Sequence, residues 1–132
     1  MIIGIGIDIC IIKRIEKTLD KYGERFKKRC FTSEEIIKCD KRHSSAACYA
    51  KRFAAKEAFS KAIGTGMRKG INWKSIEVYN QQSGKPFIKT HGNVKKTLYS
   101  LMPKNMIPKI FISITDEKDL AQAFIIIEAV KR

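Results

Sequence analysis

Two carboxylates in otherwise apolar segments are the residues of this sequence best suited to bind a cation. Asp8 lies at the end of the run Ile-Ile-Gly-Ile-Gly-Ile-Asp-Ile, and Glu57 lies in an alanine-rich segment. An unpaired buried carboxylate is costly, so each needs a cation, hydrogen bonds or solvent. Each also has an ordinary structural explanation. Asp8 could cap the helix that follows it, and Glu57 could form a surface pair with Lys61 at i, i+4 spacing.

Taken together, the two carboxylates would offer hard oxygen ligands to a divalent ion. Magnesium typically takes one or two carboxylates and completes its shell with water and substrate phosphate oxygens. Arg52, Lys56 and Lys61 follow one another in the same segment as Glu57 and could meet the charge of that phosphate. The run Gly64-Thr65-Gly66 then allows a ligand to lie against the backbone. These residue types indicate phosphate chemistry assisted by magnesium.

The two carboxylates would meet if their segments pack closely. Gly4 and Gly6 alternate with isoleucines, so one face of the predicted strand Ile2–Ile9 is bare backbone. The longest predicted helix runs from about Ser45 to Ile63 and carries a small residue at every fourth position: Ala50, Ala54, Ala58 and Ala62. Such a stripe lets another backbone approach closely, and the glycine face of the strand is the candidate.

The rest of the chain predicts an α+β fold. After the first strand, helices are predicted from about Ile11 and from Thr32, where the Thr-x-x-Glu spacing to Glu35 gives a capping box. Further strands are predicted at 75–80, 87–90, 109–115 and 122–130, with a short helix at about 94–101. Because helices and strands come in blocks, we expect one domain over residues 1–132, with a largely antiparallel sheet packed against a long central helix.

Positive charge dominates the composition. The chain has 27 Lys+Arg against 13 Asp+Glu, a net charge of +14. Such a surplus favours an anionic partner: nucleic acid, an acidic membrane surface, a phosphorylated small molecule or an acidic protein. A lysine-rich proteome would produce part of it as background. The charge is concentrated in residues 13–29. A nucleic-acid-binding module is the alternative function, although no aromatic pair on a basic strand and no helix-turn-helix spacing support it.

The sequence lacks the patterns of an exported or membrane protein. No apolar run approaches the roughly 18 residues that cross a bilayer. No charged segment precedes the apolar start and no small-residue cleavage site follows it, so we expect a cytoplasmic protein. The four cysteines (Cys10, Cys30, Cys39 and Cys48) form no CxxC pair. In a reducing compartment this predicts free thiols, without disulfides or a zinc site.

Several segments together match the motifs of one enzyme family. The two most specific are Gly4-Ile5-Gly6-Ile7-Asp8-Ile9 and Arg52-Phe53-Ala54-Ala55-Lys56-Glu57-Ala58-Phe59-Ser60-Lys61-Ala62. Supporting matches are Lys13-Arg14-Ile15, Gly64-Thr65-Gly66, Gly84-Lys85-Pro86 and Ile112-Ser113-Ile114-Thr115-Asp116-Glu117. With these motifs the chain resembles bacterial holo-acyl-carrier-protein synthase, the short single-domain type of 4'-phosphopantetheinyl transferase, over nearly its whole length.

The resemblance implies an enzyme that transfers the 4'-phosphopantetheine arm of coenzyme A to a serine of apo-acyl-carrier protein, in support of fatty acid biosynthesis. It implies that Asp8 and Glu57 hold Mg²⁺. The serine proton must go to a base, for which the chemistry favours a Mg²⁺-bound water or hydroxide ordered by Asp8 or Glu57. Lys61 is then expected to bind the phosphates, with Arg52 in the same site. The other residues implied to contact coenzyme A are Gly64, Lys85, Pro86 and Thr115.

The resemblance also implies partners. Similar enzymes are homotrimers, in which Lys85, Pro86 and Thr115 would reach the active site of a neighbouring subunit. The basic helix around Arg14 is expected to dock the acidic carrier protein, supported by Lys13, Lys17 and Lys21, and neither nucleic acid nor a membrane is expected as a partner. One position departs from part of the family, since Asp116 stands where some members carry histidine.

Overall fold

A computed structural model gives the fold of the chain and describes residues 1–68 and 70–132. Its strands are β1 (Ile2–Ile11), β2 (Ile76–Asn80), β3 (Pro86–Thr90), β4 (Met106–Glu117) and β5 (Leu120–Lys131). Its helices are α1 (Ile12–Tyr22), α2 (Glu24–Cys30), α3 (Ser33–Asp40), α4 (Ser45–Ala62) and α5 (Gly92–Ser100), with a short 3-10 helix at Trp73–Ser75.

The strands form two antiparallel sheets. One has the order β1-β5-β4 and the other is the β2-β3 hairpin. Helix α4 packs on the inner face of the larger sheet, against β1 and β5. Alternate residues of β5 are buried there: Ala121, Ala123, Ile125, Ile127 and Ala129. The predicted α+β fold, with a largely antiparallel sheet against a long central helix, is confirmed.

The predicted packing of glycines on alanines is confirmed in atomic detail. A Cβ atom added at Gly6 would overlap the carbonyl oxygen of Ala58 and lie 2.8 Å from its carbonyl carbon. A Cβ atom at Gly4 would likewise overlap the carbonyl oxygen of Ala62. Ala54 and Ala58 have no exposed surface. The backbones of β1 and α4 are therefore in direct contact, which fixes the position of Asp8 relative to the helix.

We expect Gly6→Ala to destabilise the protein by about 3 kcal/mol or more, because the new methyl group meets a helix backbone that cannot move aside. Chemical denaturation of the folded protein measures the change. Lys89→Ala, at the exposed position of β3, is the control for alanine in a strand away from this contact and should stay within about 0.5 kcal/mol of wild type. Equal stabilities of the two variants would contradict the close β1–α4 contact.

The other face of the larger sheet carries large apolar side chains in solvent. Ile7 lies opposite Phe124 in the β1–β5 register, and both are exposed, by 47% and 38%. The residues of this outer apolar face are Ile5, Ile7, Ile9, Phe111 and Phe124. A contiguous exposed patch of this kind is typical of a surface that another chain covers. The isoleucines point outward because the glycines between them take the inner face.

Two features of the helical half differ from the sequence-based expectations. Residues Glu24–Cys30 form a separate helix, α2, after a turn at Gly23 with φ of 51°. Cys39 and Cys48 form a disulfide, with Cα atoms 5.4 Å apart. The expectation of four free thiols is wrong for this pair, because the loop after α3 returns the chain against the start of α4. Within the described ranges, no helix is long and apolar enough to span a membrane.

Candidate active site

Asp8 lies beside α4 and forms an ion pair with Lys61. The Lys61 ammonium is 2.9 Å from Asp8 Oδ1 and 3.1 Å from the carbonyl oxygen of Ile7. Asp8 does not cap a helix, because the N-cap position of α1 is Ile11 and no side chain caps that end. The functional interpretation of Asp8 is therefore the one that the geometry favours. The Lys61 side chain is half exposed, so the pair is accessible to a ligand.

Glu57 lies one helical turn before Lys61, on the border of the same site. Burial raises the pKa of Glu57, the negative charge of Asp8 raises it further, and Lys61 opposes both. The expected i, i+4 pair of Glu57 with Lys61 does not form, since Lys61 turns to Asp8 instead. Among the described residues, the Glu57 carboxylate has no ion-pair partner within 4.0 Å. Two carboxylates that repel each other beside a single lysine form a place where an additional cation is favoured.

The chemistry of these side chains fits Mg²⁺. Magnesium needs one or two carboxylates and takes its remaining ligands from water and phosphate. Asp8 and Glu57 would supply those carboxylates. The described part of the chain contains no group of three or more His, Cys, Asp or Glu side chains that could hold a metal by themselves. A metal bound by Asp8 and Glu57 would therefore need water or substrate oxygens as its other ligands.

Lys56 does not take part in this site, which corrects the expectation that it could meet a substrate phosphate. Its ammonium is completely buried and donates to Glu35 Oε1 at 2.6 Å, to the carbonyl of Cys30 at 2.8 Å and to the carbonyl of Trp73 at 3.0 Å. Three donors meet three acceptors, so no donor remains for a ligand. Glu35 also accepts from the backbone N–H of Val78. The pair ties α4 to the helical half and the hairpin.

Arg52 lies away from the two carboxylates, although it was predicted in the same site. Its guanidinium is buried and donates to Asn80 Oδ1 at 2.9 Å and to Cys48 Sγ at 3.4 Å. Its Nε–H has no partner among the described residues. Burial lowers the pKa of Arg52 from its ordinary value. Arg52 and Lys61 are nine residues apart on one helix, which places them roughly 14 Å apart and on opposite sides of the axis.

A cavity of about 390 Å³ lies beside Arg52. Helix α4 begins at one wall, the β2–β3 turn forms another and the end of β4 closes the third. Its charged or ionisable residues are Arg42, His43, Lys51, Arg52 and Asp116, and Asn80, Gly84 and Pro86 contribute from the hairpin. Pro86 therefore lies where it can share a ligand with Arg52. The sequence analysis missed Arg42, His43 and Lys51. The basic run directly before the N-terminus of α4 was a signal for Arg42 and His43, whereas Lys51 lies inside the helix and had no such signal.

Three predicted residues remain, and none of them lines the cavity beside Arg52. Gly64 follows α4 beyond Lys61 and has a positive φ of 83° with nothing within 4 Å of the position of a Cβ atom, so backbone is open to a ligand there. Lys85 lies in the hairpin turn, its ammonium 5.6 Å from the centre of the Phe87 ring. Thr115 lies on the exposed side of β4, one residue before Asp116. One chain thus carries Asp8 and Lys61 in one place and Arg52 and Pro86 in another.

This fold is the one shared by the phosphopantetheinyl transferases. The model of the 4'-phosphopantetheinyl transferase superfamily matches residues 4–124, and the chain belongs to that family. It is 52% identical over 129 residues to the holo-[acyl-carrier-protein] synthase of Sinorhizobium fredii, covering 98% of this chain and 93% of that protein.

Solved structures of such synthases share the fold. The crystal structure of holo-[acyl-carrier-protein] synthase from Neisseria meningitidis matches with a TM-score of 0.85 at 36% identity, over 97% of this chain and 99% of that one. The synthase of Helicobacter pylori in complex with coenzyme A matches with a TM-score of 0.78 at 30% identity, over 94% and 99% of the two chains. The resemblance recognised in the sequence motifs is confirmed.

Proposed function

We propose that this protein transfers the 4'-phosphopantetheine group of coenzyme A to a serine of apo-acyl-carrier protein, in support of fatty acid biosynthesis. The serine oxygen forms a bond to the phosphorus nearer the pantetheine, and the bond from that phosphorus to the bridging oxygen of the pyrophosphate breaks. The products are holo-acyl-carrier protein and adenosine 3',5'-bisphosphate. The observation that carries the proposal is the placement of Glu57 beside the Asp8–Lys61 pair in a chain of this family.

The residues of this site suit phosphoryl transfer, which needs alignment and charge neutralisation more than covalent help. Lys61 can turn from Asp8 to a phosphate oxygen, because its side chain is half exposed. Asp8 and Glu57 would hold Mg²⁺ and order the water that takes the serine proton. When bound, the ion would supply electrostatic stabilisation of the transferring phosphoryl group.

The second half of the site would come from another copy of the chain. Within one chain, Arg52 and Lys61 lie on opposite sides of α4, so they cannot contact the same phosphate groups together. In a homotrimer, the cavity with Arg52 and Pro86, and the neighbouring Lys85 and Thr115, would face the carboxylates of the next subunit. The outer apolar face supports this assembly, because it offers a surface for the other copies to cover.

The basic surface of α1 and α2 would dock the carrier protein, which in this family of reactions is small and acidic. Its exposed cations are Lys13, Arg14, Lys17, Lys21, Arg25, Lys28 and Arg29. Arg14 lies in the first turn of α1, which directly follows the strand that carries Asp8. Burial and the charge of Asp8 raise the pKa of Cys10 to about 11, whereas Arg14 lowers it. The charges of Asp8 and Arg14 therefore both act on Cys10, which supports a docking surface beside the strand that carries Asp8.

We expect Arg14→Glu to raise the apparent KM for carrier protein by roughly tenfold to a hundredfold, since a reversed charge at a complementary contact costs a few kcal/mol. The KM for coenzyme A should barely change, because Arg14 is not among the phosphate-binding residues. Steady-state kinetics with each substrate varied in turn measure both constants. Lys104→Glu makes the same change of net charge outside the docking surface and serves as the control. Loss of coenzyme A binding with an unchanged carrier-protein KM would contradict the assignment.

The proposed reaction is tested by its nucleotide product. With coenzyme A, Mg²⁺ and apo-carrier protein, we expect one adenosine 3',5'-bisphosphate for each carrier protein consumed, quantified by chromatography. A carrier protein with its acceptor serine replaced by alanine should give none. Release of the nucleotide at the same rate without a carrier protein would indicate a hydrolase and overturn the proposal.

A further inference from the structure

The cavity beside Arg52 has the properties of an anion-binding site. Arg52 and Pro86 are the lining residues already assigned to coenzyme A, and other charged residues of the lining have no assigned role. Helix α4 begins there, and it has 18 residues, no acidic residue in its first turn and no side-chain cap from Ser44. The positive end of the helix dipole, at the first N–H groups of α4, is therefore not compensated by an acidic side chain or a side-chain cap of the helix itself. Arg52 lines the same cavity and is only 5% exposed. Its Nε–H has no hydrogen-bond partner among the described residues. Both features favour a negatively charged ligand.

The charged residues that line the cavity also favour a negatively charged ligand. Arg42, Lys51 and Arg52 give three positive charges against one negative charge from Asp116, so the lining carries a surplus of positive charge. Asp116 is the sole acidic side chain that lines the cavity within the described residues. A concentration of positive charge at a partly desolvated wall is unfavourable until an anion enters.

Lys51 and Asp116 form an ion pair across this cavity. The Lys51 ammonium of α4 lies 3.5 Å from Asp116 Oδ1 at the end of β4, and both side chains are more than a third exposed. A long, solvent-accessible pair of this kind contributes little to stability. A phosphate group carries more charge than one carboxylate and offers three acceptor oxygens, so it can displace Asp116 from Lys51.

We propose that Lys51 is a further substrate-binding residue, which takes a phosphate group of coenzyme A, and that Asp116 holds Lys51 over the cavity until the substrate arrives. The inference rests on the proposed function for the identity of the ligand. Neither residue is needed for the chemistry at Asp8 and Glu57. Asp116 competes with the substrate for the same ammonium, so it weakens binding in the wild-type protein and restricts the site to ligands charged enough to replace it.

Opposite effects of two substitutions test this inference. Lys51→Ala should raise the KM for coenzyme A about tenfold, the loss expected for one charge-assisted contact, with kcat nearly unchanged. Asp116→Asn should lower that KM by about threefold, because it removes the competitor and one negative charge. Lys104→Ala, outside the cavity, is the control for the loss of one lysine. Comparison of coenzyme A with 3'-dephospho-coenzyme A identifies the group: a Lys51 effect confined to coenzyme A assigns the 3'-phosphate, and an equal effect on both assigns the pyrophosphate.

A binding measurement keeps the inference separate from the proposed function. Calorimetric titration of adenosine 3',5'-bisphosphate into the wild-type protein and both variants requires no transfer reaction. Weaker binding by Lys51→Ala and tighter binding by Asp116→Asn support the inference even if no transfer to a carrier protein occurs, in which case the proposed function alone fails. An active wild-type enzyme whose Lys51→Ala and Asp116→Asn variants match it in both KM and nucleotide affinity would overturn the inference alone.

Discussion

Asp8→Ala and Glu57→Ala should each reduce phosphopantetheine transfer by at least about a thousandfold. In the proposed function, both side chains hold an ion that would stabilise the transferring phosphoryl group, and removal of such stabilisation costs several kcal/mol. Turnover of each variant is compared with that of wild type at saturating coenzyme A, carrier protein and Mg²⁺. Glu34→Ala removes an exposed carboxylate of α3 and is the matched control, for which we expect wild-type turnover.

The fold should survive these substitutions. Burial and Asp8 raise the pKa of Glu57, so its charged form is disfavoured in the folded protein. Replacing Glu57 by a neutral residue of similar shape, as in Glu57→Gln, should therefore leave the free energy of unfolding unchanged or increase it, while activity is lost. Near-normal turnover of Asp8→Ala or Glu57→Ala at saturating Mg²⁺ would contradict the two-carboxylate site.

Two inactive variants should restore activity to each other when their subunits are mixed. If each site takes Glu57 from one subunit and Arg52 from the next, a randomly mixed trimer of Glu57→Ala and Arg52→Met chains contains intact sites. For equal amounts of the two chains, about a quarter of the sites are intact, a large gain over either variant alone. Co-expression followed by an activity assay on the purified assembly measures the recovery.

The control for this experiment is a mixture of Glu57→Ala and Asp8→Ala chains. Both residues belong to the same half of the site within one chain, because they flank Lys61 together. Mixing these two variants should leave every site damaged and restore no activity. Recovery in the control, or none in the Glu57→Ala and Arg52→Met mixture, would contradict a site shared between subunits.

The part of the fold that positions the carboxylates could be predicted from the sequence. Glycines at alternate positions of a strand and alanines at every fourth position of a helix each leave the backbone accessible, and β1 and α4 do meet through them. Asp8 and Glu57 come together because of that contact. The same alternation turns the isoleucines outward, so the outer apolar face was present in the pattern and was overlooked.

The cations of α4 were less predictable. This helix is buried on most of its circumference, so periodicity does not separate a lysine that faces the core from one that faces a ligand. Lys56 is buried because Glu35 and two carbonyl groups from distant segments surround it, and no local pattern reports those partners. Arg52 and Lys61, in contrast, are nine residues apart, and a helix rotates by about 100° per residue. Their positions on opposite sides of α4 could therefore have been derived from the sequence.

The disulfide and the cavity depend on tertiary packing alone. Cys39 and Cys48 are nine residues apart, a spacing that does not indicate whether their Cα atoms lie within bonding range. The cavity forms only because the hairpin and the end of β4 converge on the start of α4. Long-range contacts of this kind bring together residues such as Arg42 and Asp116, which share no motif.

The central claim, transfer of phosphopantetheine to a carrier-protein serine, is tested most directly by intact-protein mass spectrometry. Apo-carrier protein is incubated with coenzyme A, Mg²⁺ and the wild-type protein, and with Glu57→Ala in parallel. We expect the carrier protein to gain the mass of one phosphopantetheine group, on its acceptor serine, with the wild-type protein alone. An unchanged carrier-protein mass with a folded, homotrimeric wild-type protein and an authentic apo-carrier protein would contradict the claim.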